Sequence, residues 1–106
     1  MKKGNIVLVS FPFTDFSSEK IRPALVLYPG SLDVIVAFIS SQMHRKEQTD
    51  IELAPTLDNG LKRQSIVRLS KLATIDKKMV RGLLGNINSK SLAAINTGLK
   101  EIFQLP

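Results

Sequence analysis

The chain has 106 residues, 43% apolar and 23% charged, with fifteen Lys and Arg against nine Asp and Glu for a net charge of +6. That length suits one domain with a modest core, so a single domain over residues 1–106 is expected. With no cysteine, one histidine and no ligand-spaced acids, disulfides and thiolate metal sites are excluded, and no metal or other cofactor is expected.

In chain order, the basic start MKKGN leads into only four apolar residues, Ile6 to Val9. This is too short for a signal peptide, and no apolar run approaches the roughly 20 residues that cross a bilayer. A cytoplasmic protein without membrane contact is expected. Three runs rich in Val, Ile and Leu follow: NIVLVSF (Asn5–Phe11), PALVLY (Pro23–Tyr28) and VIVAFI (Val34–Ile39). Turn-forming segments, Pro12 to Ser18 and Pro29-Gly30-Ser31, separate them, so each reads as a strand. Their near-continuous apolarity predicts burial on both faces. Thr49–Leu53 (TDIEL) alternates like a strand with one wet face, Pro55–Gly60 reads as a loop, and Ser65–Leu69 as a further strand.

Met79–Ile87 has apolar residues at helical spacing, but Gly82 and Gly85 would each weaken a helix by about 1 kcal/mol, so a strand is preferred. At the end, Asn88 or Ser89 can cap a helix whose apolar stripe is Leu92, Ile95, Leu99, Ile102 and Phe103. The expected class is α+β: a small, barrel-like, mostly antiparallel sheet with a C-terminal helix.

Charge is concentrated. Residues 62–81 hold seven bases and one acid, while the remaining eight bases and eight acids cancel. Such asymmetry favours a polyanionic partner, nucleic acid or an acidic protein segment, over an unpartnered basic surface. Phosphate loops, HExxH and GxSxG are absent. What remains is a set of polar residues at strand ends: Glu19 and Arg22 before the second strand, and Ser40, Ser41, Gln42 and His44 after the third. If these strands are neighbours, both groups share a rim.

Four blocks, GNIVLVSFPFTD (Gly4–Asp15), RPALVL (Arg22–Leu27), VIVAFISSQ (Val34–Gln42) and SIVRLSKLATIDK (Ser65–Lys77), resemble the MazF/PemK toxins in content, order and spacing. The resemblance implies an SH3-like barrel, a homodimer and the toxin half of a type II toxin–antitoxin pair. It further implies a metal-independent endoribonuclease that cuts single-stranded RNA, commonly mRNA, through the substrate's own 2′-hydroxyl, leaving cyclic-phosphate and 5′-hydroxyl ends. By this likeness Arg22 is the key arginine and Ser40 the hydroxyl residue after the third strand. Glu19 is the candidate base and His44 an alternative base or acid. Candidate RNA contacts are Phe13 and Thr14 in the first loop, Lys20, Ser41 and Gln42 near Arg22 and Ser40, and Arg68, Lys71, Lys77 and Lys78 in the basic segment. Phe11 and Phe16 join Phe13 as possible stacking rings, with core or dimer contacts the plainer role for at least two of them. An acidic, partly disordered antitoxin is the expected protein partner.

Each of these residues also has a plainer role. Arg22 alone is a surface arginine at a strand start, Ser40 and Ser41 are turn hydroxyls bonded to backbone, Glu19 neutralises a nearby cation, and His44 is an exposed polar residue. The sequence departs from the family in two places: PFTDFSSEKIRP has no glycine before Arg-Pro, and Ser40 stands where many members have threonine. Serine keeps the hydroxyl and loses the methyl that restricts its rotamers. Two other functions fit the fold: a CcdB-like gyrase inhibitor, for which no clear block is present, and an RNA-binding barrel that no longer cuts.

Overall fold

The computed structural model describes residues 1–12 and 19–106, and for Phe11, Pro12 and Glu19 the backbone alone. Its strands are β1 (Asn5–Pro12), β2 (Glu19–Pro29), β3 (Asp33–Ser40), β4 (Asp50–Leu53), β5 (Ser65–Asp76) and β6 (Val80–Asn86), followed by helix α1 (Ser89–Phe103). All pairings are antiparallel, in the order β4-β5-β3-β2-β1-β6. The end strands β4 and β6 do not pair with each other. They are bridged instead by the 54–64 loop, where the Asn86 N–H donates to the Asp58 carbonyl at 2.8 Å. The expected α+β class and six strands are present, as an open sheet curled round and joined by a loop.

Strand alternation sorts the apolar residues into two clusters. Ile6, Leu25, Ala37, Ile39, Val67 and Leu69 pack on one face with Ile95 of α1. Val7, Val9, Ala24, Val26, Val34, Val36 and Ile75 pack on the other. Both faces of β1, β2 and β3 are therefore dry, which is why these strands read as unbroken apolar runs. Asn88 caps α1 by accepting the Ser91 N–H at 2.8 Å. Ile95 is fully buried with Leu99 and Ile102 beside it, whereas Phe103 is 56% exposed. Phe103 follows Ile102 by one residue, a turn of about 100° that carries it off the stripe.

Three elements differ from the sequence reading. β2 begins four residues before Pro23, so Glu19 and Arg22 lie within it rather than ahead of it, held there by pairing with β1. β5 runs seven residues past Leu69, because its pairing with β3 skips from Phe38↔Arg68 to Ala37↔Leu72. The exposed Ser70 and Lys71 occupy this bulge, and the shift in phase keeps Leu72 on the same face as Leu69. A polar pair that looks like a strand end is a correction of register. The wet face assigned to TDIEL is half dry: Glu52 is exposed, but the Asp50 side chain is wholly buried. It lies opposite Arg68 in the ladder. Arg68 Nη2 donates to Glu47 Oε1 at 2.8 Å, and its Nε lies 3.5 Å from Asp50 Oδ2, near enough for charge attraction without a hydrogen bond. Asp50 Oδ2 also accepts the Glu47 N–H at 2.8 Å. This cluster ties the connection between β3 and β4 onto β5.

Replacing Asp50 with Ala leaves the buried Arg68 guanidinium with only the exposed Glu47. A destabilisation of about 3 kcal/mol is expected, seen as a lower urea midpoint at constant m-value. The double replacement Asp50→Leu with Arg68→Met is expected to recover most of that loss, because no charge is then left without its partner.

Candidate nucleic-acid interface

The site originates in one proline. The Gly4 N–H donates to the Val26 carbonyl at 2.9 Å, so the even-numbered backbone groups of this stretch of β2 point to β1 and the odd-numbered ones to β3. Pro23 has no N–H, and its missing donor falls on the β3 side. The ladder to β3 accordingly ends at Ala24↔Phe38, while the ladder to β1 continues through Arg22 and Lys20 to Glu19. β3 in turn stays paired with β5 as far as Ser40↔Ile66. The sheet parts between β2 and β3, and a pocket of about 590 Å³ opens in the gap.

Continuing the β2–β3 register by two residues sets Arg22 opposite Ser40, and both line the pocket. Leu8, Pro23, Ile39, Leu61 and Leu84 supply apolar surface to it. Arg22 and Ser40 are one residue out of phase with Pro23 and Ile39, so they stand at the edge of this apolar floor. Ser40 Oγ accepts the Gln42 N–H at 3.1 Å, which orients the hydroxyl and leaves its own proton free to be donated. The turn-hydroxyl role and an anion-binding role are thus compatible in one side chain. Ser41 and Gln42 line the pocket as well.

The opposite wall is the end of the 54–64 loop, which brings Gly60, Leu61, Lys62 and Arg63 to the pocket, with Ser65 of β5 behind them. Asn59, only 4% exposed, holds that loop. Its Oδ1 accepts the N–H groups of Thr56 (3.0 Å) and Leu61 (2.9 Å), its Nδ2 donates to the Ala54 carbonyl (2.9 Å), and its own N–H donates to Thr56 Oγ1 (3.0 Å). Gly60 has φ +70°, and a Cβ at Gly60 or Gly85 would overlap backbone of the facing segment. These two glycines let the loop lie directly on β6.

The remaining residues singled out from sequence either lie outside the described residues or do not line the pocket. Phe13, Thr14 and Phe16 are outside the described residues, as are the side chains of Phe11 and Glu19; the backbone of Glu19 pairs with Pro12 at the start of β2. Lys20 is exposed opposite Phe11. His44 is exposed in a 3-10 turn, Met43–Arg45, and does not line the pocket. Lys71 is exposed in the β5 bulge, and Lys77 and Lys78 in the turn before β6, where Asp76 accepts the Lys78 N–H at 2.8 Å. Arg68 is held inside the fold by its two carboxylates. The basic segment is therefore distributed, and its pocket share, Lys62 and Arg63, is absent from the sequence-derived site. The net charge of 62–81 pointed to the region, but which of its cations face the gap depends on the loop. Among the described residues, no three His, Cys, Asp or Glu side chains converge as metal ligands do.

The sequence pattern of the PemK-like, MazF-like toxin of type II toxin–antitoxin systems matches residues 2–103. Among curated proteins, none matches the chain by sequence. Solved structures do resemble it. The Mycobacterium tuberculosis toxin MazF-mt6 is 22% identical with a TM-score of 0.78, over 96% of this chain and 98% of its own. A mycobacterial endoribonuclease in complex with its cognate antitoxin is 18% identical with a TM-score of 0.80, over 100% and 97%. The MazE–MazF complex (Form-II) of Deinococcus radiodurans is 17% identical with a TM-score of 0.81, over 100% and 97%. At these identities the likeness establishes a shared fold.

Asn59→Ala strips partners from several backbone groups of the loop at once. A loss of about 2–4 kcal/mol is expected, with faster hydrogen exchange at the Leu61 amide. Asn59→Asp, which keeps the acceptor oxygen, should lose less on both measures.

Proposed function

The chain belongs to the PemK-like, MazF-like toxins of type II toxin–antitoxin systems, and on that premise we propose that it is a sequence-specific endoribonuclease that cuts single-stranded RNA without a metal ion. The observation that carries this reading is the meeting of Arg22 and Ser40 at one pocket that contains further cations and, among the described residues, is lined by no carboxylate. An apolar floor with cations and a hydroxyl at its edge suits a phosphodiester whose base is turned inward.

RNA brings its own nucleophile. The 2′-oxygen attacks the adjacent phosphorus, the O2′–P bond forms and the P–O5′ bond breaks, giving a 2′,3′-cyclic phosphate and a 5′-hydroxyl. The 2′ proton passes to a general base, and the departing 5′-oxygen takes a proton from a general acid. No activated water is consumed, so the reaction does not depend on a metal to make one. Negative charge grows on the non-bridging oxygens, where the planar, always-protonated guanidinium of Arg22 can hold two of them and the Ser40 hydroxyl can donate to one. Pro23 limits the backbone next to the guanidinium. Glu19, three residues before Arg22 on β2, is the assigned base, with His44 the alternative base or acid.

Further RNA contacts are assigned to Lys20, Ser41, Gln42, Lys71, Lys77 and Lys78 at the surface, and to Phe13 and Thr14. An antitoxin is the protein partner, as a mycobacterial endoribonuclease of this fold is found in complex with its cognate antitoxin; the basic 62–81 segment calls for an acidic one, and the working unit is a homodimer. The site of action is the cytoplasm, where mRNA is met. Among the described residues, no helix is long and apolar enough to cross a membrane.

With mixed-sequence single-stranded RNA in EDTA, the protein is expected to give discrete fragments with 5′-hydroxyl and cyclic-phosphate ends, and Arg22→Ala to give none. Loss of one preorganised donor in Ser40→Ala should slow cleavage by about 10²-fold, and Ser40→Thr should retain it. Folded wild-type protein that binds the RNA but leaves it intact would reduce the reading to RNA binding without catalysis.

A further inference from the structure

Lys62 and Arg63 are adjacent, exposed cations delivered to the pocket by the 54–64 loop, which Asn59 ties from within. Neither side chain has an ion-pair partner among the described residues, whereas Lys46 and Arg68 are both matched with carboxylates. The loop is not explained by core packing alone: Leu57 within it is fully exposed, although Leu61 does join the apolar cluster. The four hydrogen bonds of Asn59 and the Gly60–Gly85 approach hold the backbone immediately before the two cations. A mobile, merely solubilising pair of charges needs no such support.

Across the gap stand Arg22 and Ser40, and the apolar floor of Leu8, Pro23, Ile39, Leu61 and Leu84 lies between the two sides. The volume of about 590 Å³ falls within the range of one-ligand sites, room for a single nucleotide and not for a run of them. A nucleotide seated there with one phosphate at Arg22 presents its other phosphate to the far wall. We propose that Lys62 and Arg63 hold the phosphate flanking the scissile one, clamping the intervening base against the apolar floor and so setting where along the strand the cut falls. This assignment rests on the ribonuclease reading of the pocket. It makes the two cations positioning residues: they act on substrate register and affinity, while Arg22 and Ser40 act on the reacting phosphate.

The test compares wild type, Lys62→Ala/Arg63→Ala and Arg22→Ala on RNA containing the preferred cleavage sequence. For binding, the same RNA carries a single 2′-deoxy nucleotide at the cut, which removes the attacking hydroxyl. In the double variant KM is expected to rise by about tenfold or more with kcat down less than about threefold, the mark of lost uniform binding. The slope of log affinity against log salt should become shallower by about 0.7, the value of one phosphate on a single strand. A single neutral methylphosphonate at the linkage flanking the cut should reproduce the loss in wild type and add nothing in the double variant. Lys62→Arg/Arg63→Lys should restore KM, since it keeps both charges. An unaltered KM and salt slope in the double variant, with Arg22→Ala still unable to cut, would overturn this inference and leave the nuclease reading standing. Wild type that neither binds nor cuts RNA would overturn both. Both side chains are exposed, and matching urea midpoints would establish that the variants fold alike.

Discussion

A missing hydrogen-bond donor organises this molecule. Pro23 sits in a central strand that pairs with β1 over Glu19–Leu25 and with β3 over Ala24–Pro29, and its ring leaves the β3-facing side of β2 without an N–H there. The ladder stops one residue away, at Ala24, while the pairing to β1 runs on. From that point β2, β1 and β6 diverge from β3, β5 and β4, and the pocket is the space they leave. A proline in a central strand is ordinarily a weakness in a sheet. Here the opening places the edge of β2, with Arg22, against the edge of β3, with Ser40.

An opening in a sheet this small has to be balanced by ties elsewhere, and two polar devices provide them. The Arg68–Asp50–Glu47 cluster anchors the β3–β4 connection, just past the residues that line one side of the gap. The Asn59 network anchors the β4–β5 loop and, through the Asp58–Asn86 hydrogen bond, lays it on β6. The first stores charge in a nearly dry place and depends on its partners remaining together. The second is neutral and satisfies each orphaned backbone group it meets. Together they place two chain segments on either side of the opening without a β4–β6 ladder.

The segregation of charge follows from the same architecture. The seven bases between residues 62 and 81 are one cluster in sequence, but β5 and its bulge distribute them. Two reach the pocket, one is consumed inside the fold, and the rest lie in the β5 bulge, in the turn before β6 and, for Arg81, in β6 itself. Attraction for a polyanion is thus spread over the surface, which suits approach, while the adjacent pair at the pocket suits holding a substrate in register. The same arrangement accommodates an acidic protein partner, because the cations outside the pocket remain accessible to it.

By itself the sequence determined the elements and the class. Unbroken Val, Ile and Leu runs marked strands dry on both faces, Gly82 and Gly85 tipped Met79–Ile87 from helix towards strand, and Asn88 or Ser89 ahead of a 3.6-residue stripe marked α1, because these signals depend on neighbours along the chain. The resemblance of the four blocks extended that reading to Arg22 and Ser40, whose meeting at one rim the register then supplied. Only the tertiary structure decided that β5 continues past Ser70-Lys71 through a bulge, that Asp50 is buried, and that Arg68 is matched inside the fold while Lys62 and Arg63 reach the pocket with no ion-pair partner among the described residues. Each of these turns on which distant residue lies opposite: a carboxylate across a ladder, a strand across a bulge, a loop pressed onto β6 by two glycines. A cation in a sequence has a sign but no neighbour, and its role is set by whichever group the fold brings within reach.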